Sequence, residues 1–193
     1  KFIIKSEFEK SNNIFNIKIE NEYKDNKQKK LLSVNGEISK DTTKIILELV
    51  SFLYFLPEME RLFTSSPSYR RNFLDRLIFS EHKNYNTLIN SYKKSLLERN
   101  KILQNKNFDP TWIQAVENEI SNKGIKIYDL RQVQIQLLNE QISILNSNNN
   151  YPFNINFVIK DSFFEGMISI DKYLLELKKM IEIDSKFGGC SIG

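Results

Sequence analysis

From Asp109-Pro110 onward, apolar residues recur at three-, four- and seven-residue spacings: Ile113, Val116, Ile120, Ile127, Leu130, Leu137 and Ile144. A seam of this length predicts one long helix, begun by the Asp-Pro pair, whose apolar flank must be covered. Its nearest partner lies just upstream, where Tyr85, Ile89, Tyr92, Leu96 and Leu103 repeat at helical spacing. A short connection at residues 106–109 forces the two helices back on each other as an antiparallel hairpin. Lys123, Gln134 and Gln141 interrupt the seam. Gly124, in mid-helix, costs about 1 kcal/mol relative to Ala; a close helix crossing and neutral drift both account for it. Arg99 and Arg131, one on each helix, are placed to act as locks across the hairpin.

The period changes on both sides of the hairpin. Phe15, Ile17, Ile19 and Tyr23 alternate with polar residues, the pattern of a half-buried strand. Residues 1–8 predict another strand. Residues 24–30 read as a polar connection, and Leu31 to Val34 lead into Asn35-Gly36, a dipeptide suited to a type I′ turn. Asp41 or Thr42 is placed to cap a short helix ending at Leu49. Ser51 to Phe55 predicts a buried strand that Pro57 ends. Ser66-Pro67 has the chemistry of a helix start, with Tyr69, Phe73, Leu74, Leu77 and Ile78 on one side of that helix. Beyond the hairpin, Phe153, Ile155, Phe157 and Ile159 alternate as in a strand. Ile170, Tyr173, Leu174, Leu177 and Ile181 predict one amphipathic helix, and a further strand is expected to begin near Phe187. The fold class is α+β: residues 1–65 β-rich, 66–150 helical, and 151–193 a returning strand, a helix and the start of another strand.

Composition narrows the chemistry. With 193 residues the chain suits one domain or slightly more. It begins with Lys and not Met, which suggests a piece cut at both ends. The net charge of +4 mildly favours an anionic partner. One cysteine, Cys190, rules out an internal disulfide and fits a reducing compartment. The single histidine, His82, cannot build a His-rich metal site. No apolar run approaches the roughly 18 residues of a membrane span. None of the six glycines opens a GxxxxGK[ST] loop, and no GxSxG elbow is present. The carboxylates are scattered over helix faces.

That leaves arginines. Arg70 and Arg71 fall in the first turns of the helix begun by Pro67, and Arg61 precedes it. Guanidinium forks bind phosphate in two-point geometry, so Arg61, Arg70 and Arg71 are candidate DNA contacts. The structural alternative is pairing with Glu58, Glu60 or Asp75; an Arg71–Asp75 pair at i,i+4 contributes a few tenths of a kcal/mol, and spacing alone favours it. Tyr69, Tyr85 and Tyr92 sit at core spacing, which argues against base stacking.

The stretch FLPEMERLFTSSPSYRRNFLDRL, residues 55–77, resembles a segment of the RecF family of bacterial recombination mediators. The likeness rests on Phe55, Pro57 and Glu58, then Ser66-Pro67-Ser68, then Arg70-Arg71 with Phe73, Leu74 and Asp75. Val34-Asn35-Gly36, Tyr92 with Leu96, Arg99 and Asn100, then Gly124 and Arg131, and the run from Phe187 to Gly193 match in order. The chain departs from the family pattern at Met59, Glu60 and Lys93. The resemblance implies the middle of an ABC/SMC-type ATPase: part of an antiparallel head sheet with an inserted helical-hairpin arm. It also implies, for the complete protein, ATP and Mg as cofactors, an ATP-dependent homodimer on double-stranded DNA, RecO and RecR as partners, RecA loading at gaps, and a cytoplasmic location without membrane contact. In the family the Walker A, signature and Walker B motifs lie outside the part matched here, so this chain alone is expected to bind no nucleotide. A helical-hairpin interaction module without DNA binding, a decayed remnant of the family, is the alternative.

Overall fold

The computed structural model describes residues 2–24, 27–50, 53, 57–105, 108–149, 153–164 and 168–192. The chain divides into two compact units, residues 1–54 and 55–193.

The first unit is a three-stranded antiparallel sheet in the order β1-β2-β3, with β1 spanning Ile3–Lys10, β2 Asn13–Lys24 and β3 Lys27–Val34. Register sets Ile19 between Ile4 and Leu32, and Ile17 between Ser6 and Val34. Phe8, Phe15, Ile17, Leu32 and Val34 therefore share a face, and Ile46 of α1 (Lys40–Leu49) packs against it. The lysines at residues 27–30, expected in a connection, belong to β3. They lie on an edge strand, where charge discourages further pairing.

The Asn35-Gly36 turn has both residues at positive φ, 51° and 87°, and a single bridge, Val34 to Glu37, follows it. Ser11 and Asn12, which carry no strong turn signal, make the β1–β2 turn with φ of 51° and 64°. The cap of α1 is Ser39, not Asp41 or Thr42. Ser39 Oγ accepts from the Thr42 amide at 3.1 Å, and Thr42 Oγ1 accepts from the Ser39 amide at 3.0 Å. This reciprocal box satisfies two donors at once. The predicted strand at residues 51–55 lies outside the described residues apart from Leu53.

The second unit is helical among its described residues: α2 Pro67–Glu81, α3 Tyr85–Leu103, α4 Pro110–Asn149, α5 Ile170–Lys179 and α6 Ile181–Phe187. Helices α3 and α4 pack along each other, as the seam requires. The seam is only partly covered. Ile113, Val116, Ile120 and Ile127 are buried, whereas Leu137 and Ile144 are exposed. Length explains this: α3 has 19 residues and α4 has 40, or about 28 Å against about 60 Å.

Arg99 is the deepest charge, with no exposed surface. Its Nε donates to Glu117 Oε1 on α4 at 2.9 Å, Nη1 to Asp184 on α6, and Nη2 to the Leu177 carbonyl of α5 at 2.8 Å. Burial pushes the guanidinium toward neutrality, but its bonds to Glu117 and Asp184 outweigh that and hold it charged. Asp184 Oδ1 in turn accepts from the amide and hydroxyl of Ser191, at 2.8 and 2.6 Å. The strand expected from Phe187 is therefore absent among the described residues. Phe187 ends α6, and the chain after it folds under Asp184 to satisfy that buried carboxylate. The single helix expected over residues 170–181 breaks at Met180 into α5 and α6.

Gly124 is explained by close approach. A Cβ there would lie 2.8–2.9 Å from the Tyr173 ring of α5. The ring cannot retreat easily: it is buried, its hydroxyl is 2.7 Å from that of Tyr92, and Phe164 packs against it at 5.0 Å.

The segment at residues 153–159 belongs to no ladder among the described residues. A strand needs a neighbour, and a side chain takes that place. Asn139 of α4 donates Nδ2 to the Phe157 carbonyl at 2.9 Å and accepts the Phe157 amide at Oδ1 at 2.8 Å. One amide thus reproduces the paired bonds of a strand residue.

Two substitutions probe this packing. Gly124→Ala gains about 1 kcal/mol of helix propensity but is expected to destabilise by about 1–3 kcal/mol net through overpacking. In a Tyr173→Ala background the same change is expected to stabilise; urea unfolding of the four variants measures both signs. Arg99→Met leaves Glu117 and Asp184 buried without their cation and is expected to cost about 3–5 kcal/mol. An unchanged urea midpoint would refute that role.

Candidate nucleic-acid interface

The candidate arginines are placed by a knot of local hydrogen bonds. Pro57–Arg61 forms a 3-10 turn. The Arg61 carbonyl accepts from the Thr64 hydroxyl at 3.1 Å and from the hydroxyl and amide of Ser65 at 2.7 and 2.9 Å. Ser66 then caps α2, accepting the Tyr69 amide at 3.3 Å, with Pro67 at the first helical position as expected.

Arg61 is exposed on the turn. Arg70 reaches back, its Nη1 donating to the carbonyls of Phe63 and Ser65, so that it clamps the turn to the helix. Arg71 is exposed, with one long contact from Nη2 to Ser68 Oγ at 3.3 Å. The Arg71–Asp75 pair that spacing favours does not form. Asp75 is taken by Arg131 of α4, which donates from Nε at 2.8 Å and Nη2 at 2.9 Å, and by the Tyr85 hydroxyl at 2.6 Å. Partial burial makes that bidentate pair the better one. Burial and the bond to Asp75 push the Tyr85 phenol well above its ordinary range, so it remains the donor. The side chains of Glu58 and Glu60, the other possible partners, lie outside the described residues, as does Phe55.

Arg70 and Arg71 line one wall of a groove of about 530 Å³. The other walls are α4, with Arg131, Ile135 and Leu138, and the segment from Asn156 to Asp161. Arg61 is not among the lining residues. Lys160, which sequence reasoning missed, is. Its only signal is a cation following the alternating run. Tyr85 and Tyr92 are core residues, as their spacing suggests, whereas Tyr69 is exposed. Among the described residues there is no group of His, Cys, Asp and Glu able to hold a metal, and no helix long and apolar enough to cross a membrane.

No sequence model of a protein family matches the chain. Individual proteins do. Over 121 residues it is 31% identical to the DNA replication and repair protein RecF of Rhizobium johnstonii, covering 63% of this chain and 32% of that protein. Over 163 residues it is 28% identical to RecF of Rickettsia bellii, covering 82% and 42%. The chain thus spans about a third to two-fifths of the length of these curated relatives. In fold it matches a solved structure of the recombination mediator protein RecF with ATPγS, with a TM-score of 0.72 and 24% identity, over 93% of this chain and 52% of that one. A second RecF structure, with ATP, gives the same TM-score at 22% identity. In sequence and in fold alike, the chain is similar to part of a RecF.

Proposed function

We propose that this chain is the central part of a RecF-like mediator of DNA recombination, repair and replication, with residues 1–65 in the head, 66–150 as the helical arm and 151–193 returning to the head. In the complete protein, ATP with Mg drives dimerisation on double-stranded DNA, and RecO and RecR cooperate in loading RecA at gaps in the cytoplasm. The reading is supported by curated RecF relatives and by RecF folds solved with ATP and ATPγS.

Within this chain the DNA contact is assigned to Arg61, Arg70 and Arg71. One observation carries it: Arg61 and Arg71 are exposed beside the start of α2 and have no acid partner among the described residues. Phosphate contacts position a protein without reading sequence, which suits a mediator that acts at gaps. Arg70 also holds the turn, so its part is to keep the other two in place. That structural duty is what favours the second reading, a hairpin interaction module without DNA binding.

Duplex affinity measured across a salt series separates the two. Arg61→Ala with Arg71→Ala is expected to weaken binding about equally for all sequences. The salt slope should fall by about two, one for each phosphate left without its arginine. Absence of binding to duplex at low salt would instead leave the interaction module. Because no phosphate-cradling loop is present in the sequence, the chain by itself is expected to show no saturable ATP binding by equilibrium dialysis; saturation would contradict the assignment of nucleotide chemistry to other parts of the protein.

A further inference from the structure

Among the described residues, Arg70, Arg71, Arg131 and Lys160 form a cationic rim to the groove between α2, α4 and the segment at residues 156–161. One carboxylate, Asp75, has a claim on two of these cations. It lies four residues after Arg71 on α2, the spacing at which a carboxylate and a guanidinium meet on a helix surface. Of the residues three or four positions from Asp75 along α2, Arg71 alone is a cation. Yet both oxygens of Asp75 are on Arg131 of α4, at 2.8 and 2.9 Å, and Oδ1 also accepts from the Tyr85 hydroxyl at 2.6 Å. Arg71 keeps one long contact, to Ser68 Oγ at 3.3 Å.

Two features make that choice one-sided. Asp75 and Arg131 expose only 19% and 20% of their side chains, whereas Arg71 is exposed. Partial burial strengthens a two-point pair, while water and side-chain entropy weaken a surface one. Tyr85, at the start of α3, stays protonated through burial and its bond to Asp75. Its hydroxyl holds the carboxylate on the side of Arg131. An apolar contact would also tie α2 to α4, but it would leave the charge one turn from Arg71 unanswered.

We propose that Arg131 is a positioning residue for Arg71. By occupying both oxygens of Asp75 it keeps that carboxylate off Arg71, and so leaves the Arg71 guanidinium open to an anion. That the anion is a DNA phosphate rests on the function proposed above; the choice of partner at Asp75 does not. Without Arg131, Asp75 turns to Arg71, and the i,i+4 pair that spacing favours forms after all.

The test compares the whole chain with Arg131→Met, with Arg131→Met plus Asp75→Asn, and with Arg131→Met plus Glu81→Gln. The last pair of changes removes a carboxylate from α2 as well, but at a site about 15 Å along the helix from Arg71. The first reading uses no nucleic acid. The Nε–H resonance of Arg71, assigned by its loss in Arg71→Lys, is followed by NMR for exchange with water. Exchange is expected to slow severalfold in Arg131→Met, to return to the parent rate with Asp75→Asn, and to stay slow with Glu81→Gln. An Arg71 rate that is the same in all four chains would overturn the proposal, as would equal recovery with Glu81→Gln, which would make the effect one of net charge. The second reading is duplex affinity across a salt series. Arg131→Met is expected to bind roughly threefold more weakly, and Asp75→Asn, but not Glu81→Gln, to recover most of that loss. A residue that only tied the helices together would leave the Asp75→Asn double variant at least as impaired as Arg131→Met. Circular dichroism checks folding; where Arg131→Met does not fold, Arg131→Gln, which keeps an uncharged donor to Asp75, replaces it with the same expectations. Arg71 exchange that changes as expected while duplex affinity does not follow would uphold the positioning role and overturn the assignment of Arg71 to DNA.

Discussion

A guanidinium sealed from water governs the helical unit. Arg99 makes bonds into α4, α5 and α6 at once, so the three elements are oriented by one planar fork. Dehydrating two carboxylates and a cation is costly, and apolar side chains of like volume often stabilise as well or better. What the charges add is direction. A Leu in place of Arg99 has no preferred partner; a guanidinium accepts only geometries that meet its donors. Ser191, bound to Asp184, extends the same network to the chain beyond α6.

Around that network the sequence was legible where a residue type permits one solution. Ser66-Pro67 starts a helix, and Asn35-Gly36 turns with both residues at positive φ. Of the two arginines expected to lock the hairpin, Arg99 does bond across it to Glu117, whereas Arg131 turns to Asp75 on α2. Asp75 is four residues from Arg71, yet it bonds to a residue 56 positions away. Local spacing cannot rank a half-buried bidentate pair against an exposed one. The break at Met180 and the fold-back after Phe187 were equally hidden, because both answer to the burial of Asp184 and not to any local pattern. Periodicity misled at residues 153–159 for a related reason. It specifies an extended chain, but whether that chain joins a ladder depends on what lies beside it, and here that is Asn139.

The candidate surface was legible in part. Two adjacent arginines after a helix start are candidate anion contacts, and the structure supplies reasons to treat them differently. Arg70 belongs to the turn's own hydrogen bonding, whereas Arg71 and Arg61 reach into solvent. Lys160 completes the cationic rim from a segment far along the chain. Only the fold brings Arg70, Arg71 and Lys160 to one groove.

The buried network also bears on the order in which the helical unit assembles. Arg99 and Glu117 are 18 positions apart, Arg99 and Asp184 are 85. Closing the longer loop costs only about 1.4 kcal/mol more in chain entropy. Separation along the chain is therefore a small obstacle, and loss of hydration is the large one. Without α6, Arg99 and Glu117 would stand as a pair on an open hairpin, and Asp184 completes their burial. The expectation is therefore that docking of the last helix, more than pairing of the first two, commits the polypeptide.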